Sequence, residues 1–155
     1  MNIKDELLRV VDTLNEARIE YAIAGGLAMA IHGCPRLTVD IDLAIREGEL
    51  DGARRALAAI GFDLESGSVG LSPGPAAVER LFRLTKTEDS EYLTLDLLLV
   101  TVHDDRLMAD REAFEVGGRT MWVVSRRGLI EMKKCAGRAQ DLADIAALEA
   151  ESPEP

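Results

Sequence analysis

Hydrophobic residues in the first half of the chain switch between helical and strand-like spacing. Ile3, Leu7, Val10 and Leu14 recur at intervals of three and four, which predicts an amphipathic helix. Later apolar runs are short, β-branched and bounded by glycine or proline, as is typical of strands. The predicted elements are a helix over 2–18, a strand over 20–24, a short helix over 27–32, a strand over 38–45 and a helix over 47–60.

The second half is richer in strand patterns and ends in helices. Residues 65–77 contain several glycines and prolines, which predicts a loop that is either a mobile flap or a long hairpin connection. The other predicted elements are strands over 62–64, 81–85 and 92–102, a helical turn over 106–110, a hairpin over 113–124 that turns at Gly117-Gly118, and helices over 126–136 and 138–149.

Together these elements predict a fold of the α/β (α+β) class, with a sheet flanked by helices and two closing helices. The length of 155 residues fits one domain, which we place at 1–150, with a short disordered tail at 151–155. The longest apolar run spans eleven residues, 21–31, and is too short to cross a bilayer.

Charge and cysteine content narrow the function classes. The net charge of −10 argues against a nucleic-acid partner held by a broad basic surface. A local basic groove stays open, because basic residues cluster between 126 and 138; the alternative is a solvated helix face. Cys34 and Cys135 are far apart and suggest two reduced thiols. With no signal-peptide pattern at the N-terminus, we expect a cytoplasmic protein without a membrane partner.

Two carboxylates interrupt the apolar strand at 38–45. In a strand, Asp40 and Asp42 project to one side and Ile41 and Leu43 to the other. Paired carboxylates on such a strand repel each other and lose hydration, and a hard cation such as Mg²⁺ relieves both costs. The alternative is that the pair solvates the outer face of an edge strand.

A glycine pair precedes this strand and favours the site interpretation. Gly25-Gly26 lies between the strand pattern at 20–24 and the helix pattern at 27–32. Glycine at such a junction lets the backbone approach a phosphate closely. The pair and the carboxylates therefore predict a site for a Mg²⁺-nucleotide.

A third aspartate, Asp96, stands inside the most apolar strand pattern, Leu93-Thr-Leu-Asp-Leu-Leu-Leu-Val100. A lone carboxylate in such a strand is costly unless it is paired or binds a metal. The alternative is a solvated strand position.

These motifs resemble those of the DNA polymerase β nucleotidyltransferase superfamily. Gly25-Gly26, thirteen residues and then Asp40-Ile41-Asp42 is similar to its signature. The pattern Gly33-x-x-Arg36-x-Thr38-x-Asp40-x-Asp42 resembles small bacterial AbiEii-like nucleotidyltransferases of abortive-infection and toxin–antitoxin systems. Leu129-Ile-Glu-Met-Lys133 and Gly137-Arg138-x-x-Asp141-x-x-Asp144 are similar to the closing motif of that group.

The resemblance implies a nucleotidyltransferase-like mixed β-sheet and an enzyme that moves an NMP from an NTP to a hydroxyl acceptor. Asp40, Asp42 and Asp96 would be the catalytic, metal-binding carboxylates, with two Mg²⁺ ions expected. Nucleotide-binding residues would be Gly25, Gly26, Arg36, Thr38, Lys133 and Arg138, of which Lys133 or Arg138 would offset charge on the leaving pyrophosphate.

The acceptor stays open among RNA, in particular tRNA, a protein and a small molecule, and a cognate antitoxin is a further candidate partner. The chain lacks the large helical extension of the resembling toxins, so the toxin role stays open too. An alternative function is a non-catalytic nucleotide- or partner-binding module with the same fold. The presence of all three carboxylates favours the enzyme.

Overall fold

The computed structural model describes residues 1–71 and 78–150. Its helices are α1 (Ile3–Glu16), α2 (Gly25–Ile31), α3 (Leu50–Ala58), α4 (Arg106–Ala109), α5 (Arg126–Ala136) and α6 (Ala139–Ala150). Its strands are β1 (Ala22–Ala24), β2 (Asp40–Arg46), β3 (Leu64–Gly70), β4 (Val78–Glu88), β5 (Glu91–Val100), β6 (Glu112–Val116) and β7 (Arg119–Val123).

The strands form one seven-stranded mixed sheet in the order β3-β4-β5-β2-β1-β7-β6. β2 pairs in parallel with β5, and β1 in parallel with β7, while the other neighbours are antiparallel. Helices flank this sheet and include two at the C-terminal end of the described chain. The predicted fold class is therefore confirmed.

The helix α1 illustrates how the predicted apolar stripe is used. Asn2 caps its first turn by accepting hydrogen bonds from the backbone N–H groups of Lys4 and Asp5. Val10 and Leu14, on the apolar stripe, are fully buried in the main core. Burial of this face against the sheet and α3 is what holds the helix in place.

The strand β2 separates its apolar and acidic side chains as its alternation predicts. Ile41, Leu43 and Ile45 are fully buried in the core. Asp40 and Asp42 point to the other face and are partly exposed. The central position of β2 in the sheet rules out the edge-strand alternative for this carboxylate pair.

Several boundaries differ from the sequence prediction, among them those of β4, which the sequence predicts over 81–85 and which runs from Val78 to Glu88. The segment 65–70, predicted as loop, continues β3, and the predicted strand at 62–64 contributes only Leu64. β3 is an edge strand with mostly exposed side chains, so it lacks the apolar alternation that marks a half-buried strand. α2 begins at Gly25, two residues earlier than predicted.

The hairpin alternative for 65–77 agrees with the antiparallel pairing of β3 and β4. The remainder of that segment, 72–77, and the predicted tail at 151–155 lie outside the described residues. In the described part of the chain, every helix is too short or too polar to traverse a bilayer.

Candidate active site

Strand register brings the three predicted carboxylates into one cavity. The parallel pairing of β2 and β5 places Asp42 opposite Asp96, and the antiparallel pairing of β4 and β5 places Arg83 opposite Asp96. Asp40 lies two residues along β2, on the same face. All four side chains line a cavity of about 800 Å³. Residues that lie more than fifty positions apart in the sequence thus share one site.

The glycine pair lies at the junction of β1 and α2, directly beside the carboxylates. Gly25 has φ +61°, and a Cβ there would lie 2.1 Å from Oδ2 of Asp42. A Cβ at Gly26 would lie 2.7 Å from both Cβ and Oγ1 of Thr38. The backbone therefore approaches Asp42 and Thr38 so closely that neither position has room for a side chain.

The charge on Asp42 is strongly disfavoured in this environment. Burial is the largest cause, and repulsion from Asp96 and Asp40 adds to it, so that the pKa of Asp42 rises to about 6. Lys133 and Arg36 oppose this shift only in part. An excess of negative charge at a partly buried point is what a bound cation would relieve.

We expect Asp42→Asn to stabilise the metal-free protein at high pH. The folded state keeps a proton on Asp42 up to pH about 6, whereas the unfolded state releases it near 3.8, so the free energy of unfolding falls as pH rises between these values. The variant should exceed wild type by about 1–3 kcal/mol at pH 8 and lose this advantage below pH 4. Urea unfolding in EDTA measures the difference.

The control for this experiment is Asp63→Asn, which removes an exposed carboxylate outside the cavity. It should leave the free energy of unfolding nearly unchanged at both pH values. An Asp42→Asn protein that is no more stable than wild type at pH 8 would contradict the proposed burial of a charged Asp42.

Arg83 is a site residue that the sequence analysis missed. Its Nε donates to Oδ1 of Asp96 at 2.8 Å, and its Nη2 donates to Oδ2 at 2.9 Å. The Asp96 side chain is only 8% exposed, so the guanidinium satisfies an otherwise isolated buried carboxylate. The signal available in the sequence was an arginine alternating with Phe82 and Leu84, two buried residues of β4.

The predicted basic residues line the same cavity, but they are paired with α6. Nζ of Lys133 lies 2.6 Å from Asp144, which Arg36 also contacts at 3.1 Å. Arg138 contacts Asp141 at 2.7 Å. Both aspartates belong to the closing motif of the sequence, Gly137-Arg138-x-x-Asp141-x-x-Asp144, which does not by itself indicate this pairing.

Asp144 is the centre of this second ionic cluster. Burial, the largest single cause, raises the pKa of Asp144, but hydrogen bonds from Lys133 and Gln140 and the positive charges of Lys133 and Arg36 together lower it below its usual value. The cluster holds α5 and α6 together and fixes Lys133 at the cavity wall. Arg36, Lys133 and Arg138 thus have both a structural contact and access to the cavity.

The carboxylate oxygens in the cavity suit a hard divalent cation, but Arg83 binds those of Asp96. Asp40 and Asp42 offer carboxylate oxygens with no hydrogen bond or ion pair from another described side chain. Both oxygens of Asp96 instead accept from Arg83. Within the described residues, no group of three or more His, Cys, Asp or Glu side chains is arranged to hold a metal ion. The oxygens of Asp40 and Asp42 are therefore open to a cation, whereas those of Asp96 are taken by Arg83.

Another wall of the cavity is apolar. Leu81 and Leu98 lie opposite each other on β4 and β5, next to the row formed by Arg83, Asp96 and Asp42. The wall is extended by Leu71 and Val78. The cavity thus combines an acidic centre with basic and apolar sides.

One family model and several solved structures match this chain. The family model described as aminoglycoside-2''-adenylyltransferase matches residues 6–73, which is under half of the chain and includes Gly25, Gly26, Asp40 and Asp42. No curated protein sequence matches the chain.

Solved structures match over nearly the whole chain. ANT(2'')-Ia in complex with adenylyl-2''-tobramycin superposes with a TM-score of 0.61 at 14% identity, covering 98% of this chain and 91% of that protein. A candidate nucleotidyltransferase from Thermotoga maritima gives 0.61 at 16% identity, with 97% and 96% covered. JHP933 from Helicobacter pylori gives 0.52 at 19% identity, with 96% and 65% covered.

The predicted AbiEii-like assignment stays a prediction, because the matched family model describes adenylyltransferases that act on aminoglycosides. The broader prediction, a nucleotidyltransferase, is supported by both the family model and the structural neighbours. The chain therefore has the nucleotidyltransferase fold, and these findings support its place in the nucleotidyltransferase superfamily.

Proposed function

We propose that this protein is a Mg²⁺-dependent nucleotidyltransferase that moves an NMP from an NTP to a hydroxyl acceptor. The observation that carries the proposal is the meeting of Asp40, Asp42 and Asp96 in one cavity beside the glycine pair. The partial match to an adenylyltransferase family model supports it.

In this proposal, Asp40 and Asp42 would hold Mg²⁺ together with the triphosphate, and Asp96 would contribute to the shell of a second ion. When bound, such a pair of ions offsets phosphate charge and stabilises the entering and leaving oxygens of an in-line displacement. The partly buried carboxylates of β2 supply the oxygen ligands that Mg²⁺ prefers.

The protein's own side chains would position the reactants and move one proton. The acceptor oxygen forms a bond to the α-phosphorus, the bond from that phosphorus to the bridging oxygen breaks, and pyrophosphate leaves. Asp96 takes the proton of the attacking hydroxyl. Lys133 and Arg138, which face the cavity, offset the charge that develops on the pyrophosphate. Gly25 and Gly26 let the backbone lie directly against Asp42 and Thr38, at the cavity wall where the phosphates would bind.

Arg36 and Thr38 are proposed to bind nucleotide from the segment that precedes β2. Both line the cavity, and Thr38 packs directly against the position of Gly26. Arg36 lies on the same Asp144 carboxylate as Lys133, which places two cations at one side of the cavity. This arrangement favours a phosphate-binding side formed by α5 and the 34–39 segment.

The cavity offers both charged and apolar surfaces to an acceptor. Among the described carboxylates that line it, Asp96 is bound by Arg83 and Asp141 by Arg138, whereas Asp40 and Asp42 have no ion-pair partner. The wall that includes Leu81 and Leu98 is apolar. These surfaces fit an acceptor hydroxyl on RNA, on a protein or on a small molecule, a polycationic one included. A tRNA acceptor and a cognate antitoxin stay open within this range.

One observation favours a second candidate function, a non-catalytic nucleotide-binding module. Arg83 donates hydrogen bonds to both oxygens of Asp96, so in this structure the third carboxylate binds an arginine. A module of this kind would bind a nucleotide without needing the metal and without turning it over.

Thermal unfolding with each NTP at 1 mM separates these candidates. For a Kd near 0.1 mM, we expect at least one NTP to raise Tm by about 3–5 °C in Mg²⁺. The same nucleotide should give little shift in EDTA or with Asp40→Asn. A shift of equal size in EDTA would favour the binding module, and no shift with any NTP in Mg²⁺ would contradict the proposed function.

A further inference from the structure

The contact between Arg83 and Asp96 is asymmetric in its exposure. The Asp96 side chain is 8% exposed and fixed in the middle of the sheet, whereas the Arg83 side chain is 46% exposed. Within the described part of the chain, Asp96 is the one ion-pair partner of Arg83. The guanidinium is therefore the partner that solvent and ligands reach, while the carboxylate is enclosed by the sheet.

The surroundings of Arg83 leave it room to move. Its neighbour on β3 is Gly67, which has no side chain to cover the guanidinium. A Cβ built at Gly67 would meet nothing within 4 Å. On the other side, the guanidinium faces the cavity that also holds Asp40 and Asp42. Arg83 thus stands between the acidic centre and open space.

A guanidinium that binds a carboxylate in bidentate fashion takes one lone pair on each oxygen and places a positive charge beside both. A divalent cation at Asp96 would share these oxygens and lie next to that charge, so Arg83 competes with the cation for Asp96. A triphosphate in the cavity would offer Arg83 new anionic oxygens of the kind that arginine binds well.

We propose that Arg83 is an exchangeable partner of Asp96, which it holds in the nucleotide-free protein and leaves for a phosphate group when the metal-bound nucleotide enters. This inference rests on the proposed function, because it assigns Asp96 to the metal only after that exchange. It makes Arg83 a positioning residue. Its consequence is that the nucleotide-free protein binds divalent cations weakly, even though its carboxylates are in place.

Mn²⁺ binding to the nucleotide-free protein tests this proposal, with the free Mn²⁺ signal in electron paramagnetic resonance as the readout. Arg83→Met should lower the Kd for Mn²⁺ at least tenfold relative to wild type. Arg83→Gln, which keeps a hydrogen-bond donor, serves as a second variant where Arg83→Met folds poorly, and it should also lower the Kd.

Arg80→Met is the matched control. Arg80 lies on the same strand and pairs with Glu47 at 3.8 Å, away from the carboxylate row, so its replacement should leave the Kd unchanged. Adding Asp96→Asn to Arg83→Met should cancel the gain, because the released carboxylate is then absent.

The possible failures of the two proposals differ. If wild type and Arg83→Met bind Mn²⁺ equally and Asp40→Asn abolishes binding in both, the exchange is overturned while the metal assignment stands. If no folded variant binds Mn²⁺ at millimolar concentration, the exchange is overturned together with the metal assignment on which it rests.

Discussion

Replacement of Asp40 by asparagine is expected to lower the rate of nucleotide transfer roughly 10³-fold, which corresponds to a loss of about 4 kcal/mol of transition-state stabilisation. The reason is that Asp40 supplies an oxygen ligand whose charge an amide lacks. Its carboxylate has no partner among the described side chains, so the fold should not depend on it. Initial rates with a labelled NTP, compared with the circular dichroism spectrum of each protein, measure both effects.

The matched control for Asp40→Asn is Asp63→Asn, because Asp63 is an exposed aspartate outside the cavity. The control should retain the wild-type rate. Transfer by Asp40→Asn at a rate within a few-fold of wild type would remove Asp40 from the catalytic carboxylates.

Replacement of Gly25 by alanine is expected to have the second large effect, on stability and transfer together. A side chain at φ +61° is strained, and its Cβ would fall 2.1 Å from Oδ2 of Asp42. We expect a loss of about 1–3 kcal/mol in the free energy of unfolding, together with a displaced Asp42 and near-complete loss of transfer. Urea unfolding and the label-transfer rate give the two readouts.

Gly48→Ala is the control for this substitution, because a Cβ at Gly48 would meet nothing within 4 Å and its φ is not positive. It should change neither stability nor transfer. If Gly25→Ala retained the wild-type stability, the close approach of the backbone to Asp42 would not be a constraint on this fold.

Much of the fold could be predicted because its central elements have one-sided burial. α1 carries a continuous apolar stripe, and β2 alternates buried residues with partly exposed aspartates. β3 could not be predicted, because an edge strand that is exposed on both sides is under no pressure to alternate. Its glycines and serines then favour a loop from sequence alone.

The candidate site likewise contains residues that the sequence predicts and residues that it does not. Asp40, Asp42 and Asp96 stand out in the sequence because carboxylates are rare in strands that are otherwise buried. Arg83 does not stand out, since its contact with Asp96 depends on the register between β4 and β5, which residue spacing does not determine. The pairing of Lys133 with Asp144 likewise follows from the packing of α5 against α6 rather than from a local pattern.

Transfer of label from α-labelled nucleoside triphosphates tests the central claim most directly. Wild type and Asp40→Asn would each be incubated with Mg²⁺ and one nucleotide at a time. Acceptors would be total RNA, a protein extract, a small-molecule extract and tobramycin. We expect wild type to label at least one of these acceptors in Mg²⁺, Asp40→Asn to label it about a thousandfold more slowly, and neither protein to label it in EDTA. Folded wild-type protein that labels no acceptor with any nucleotide would contradict the assignment as a nucleotidyltransferase.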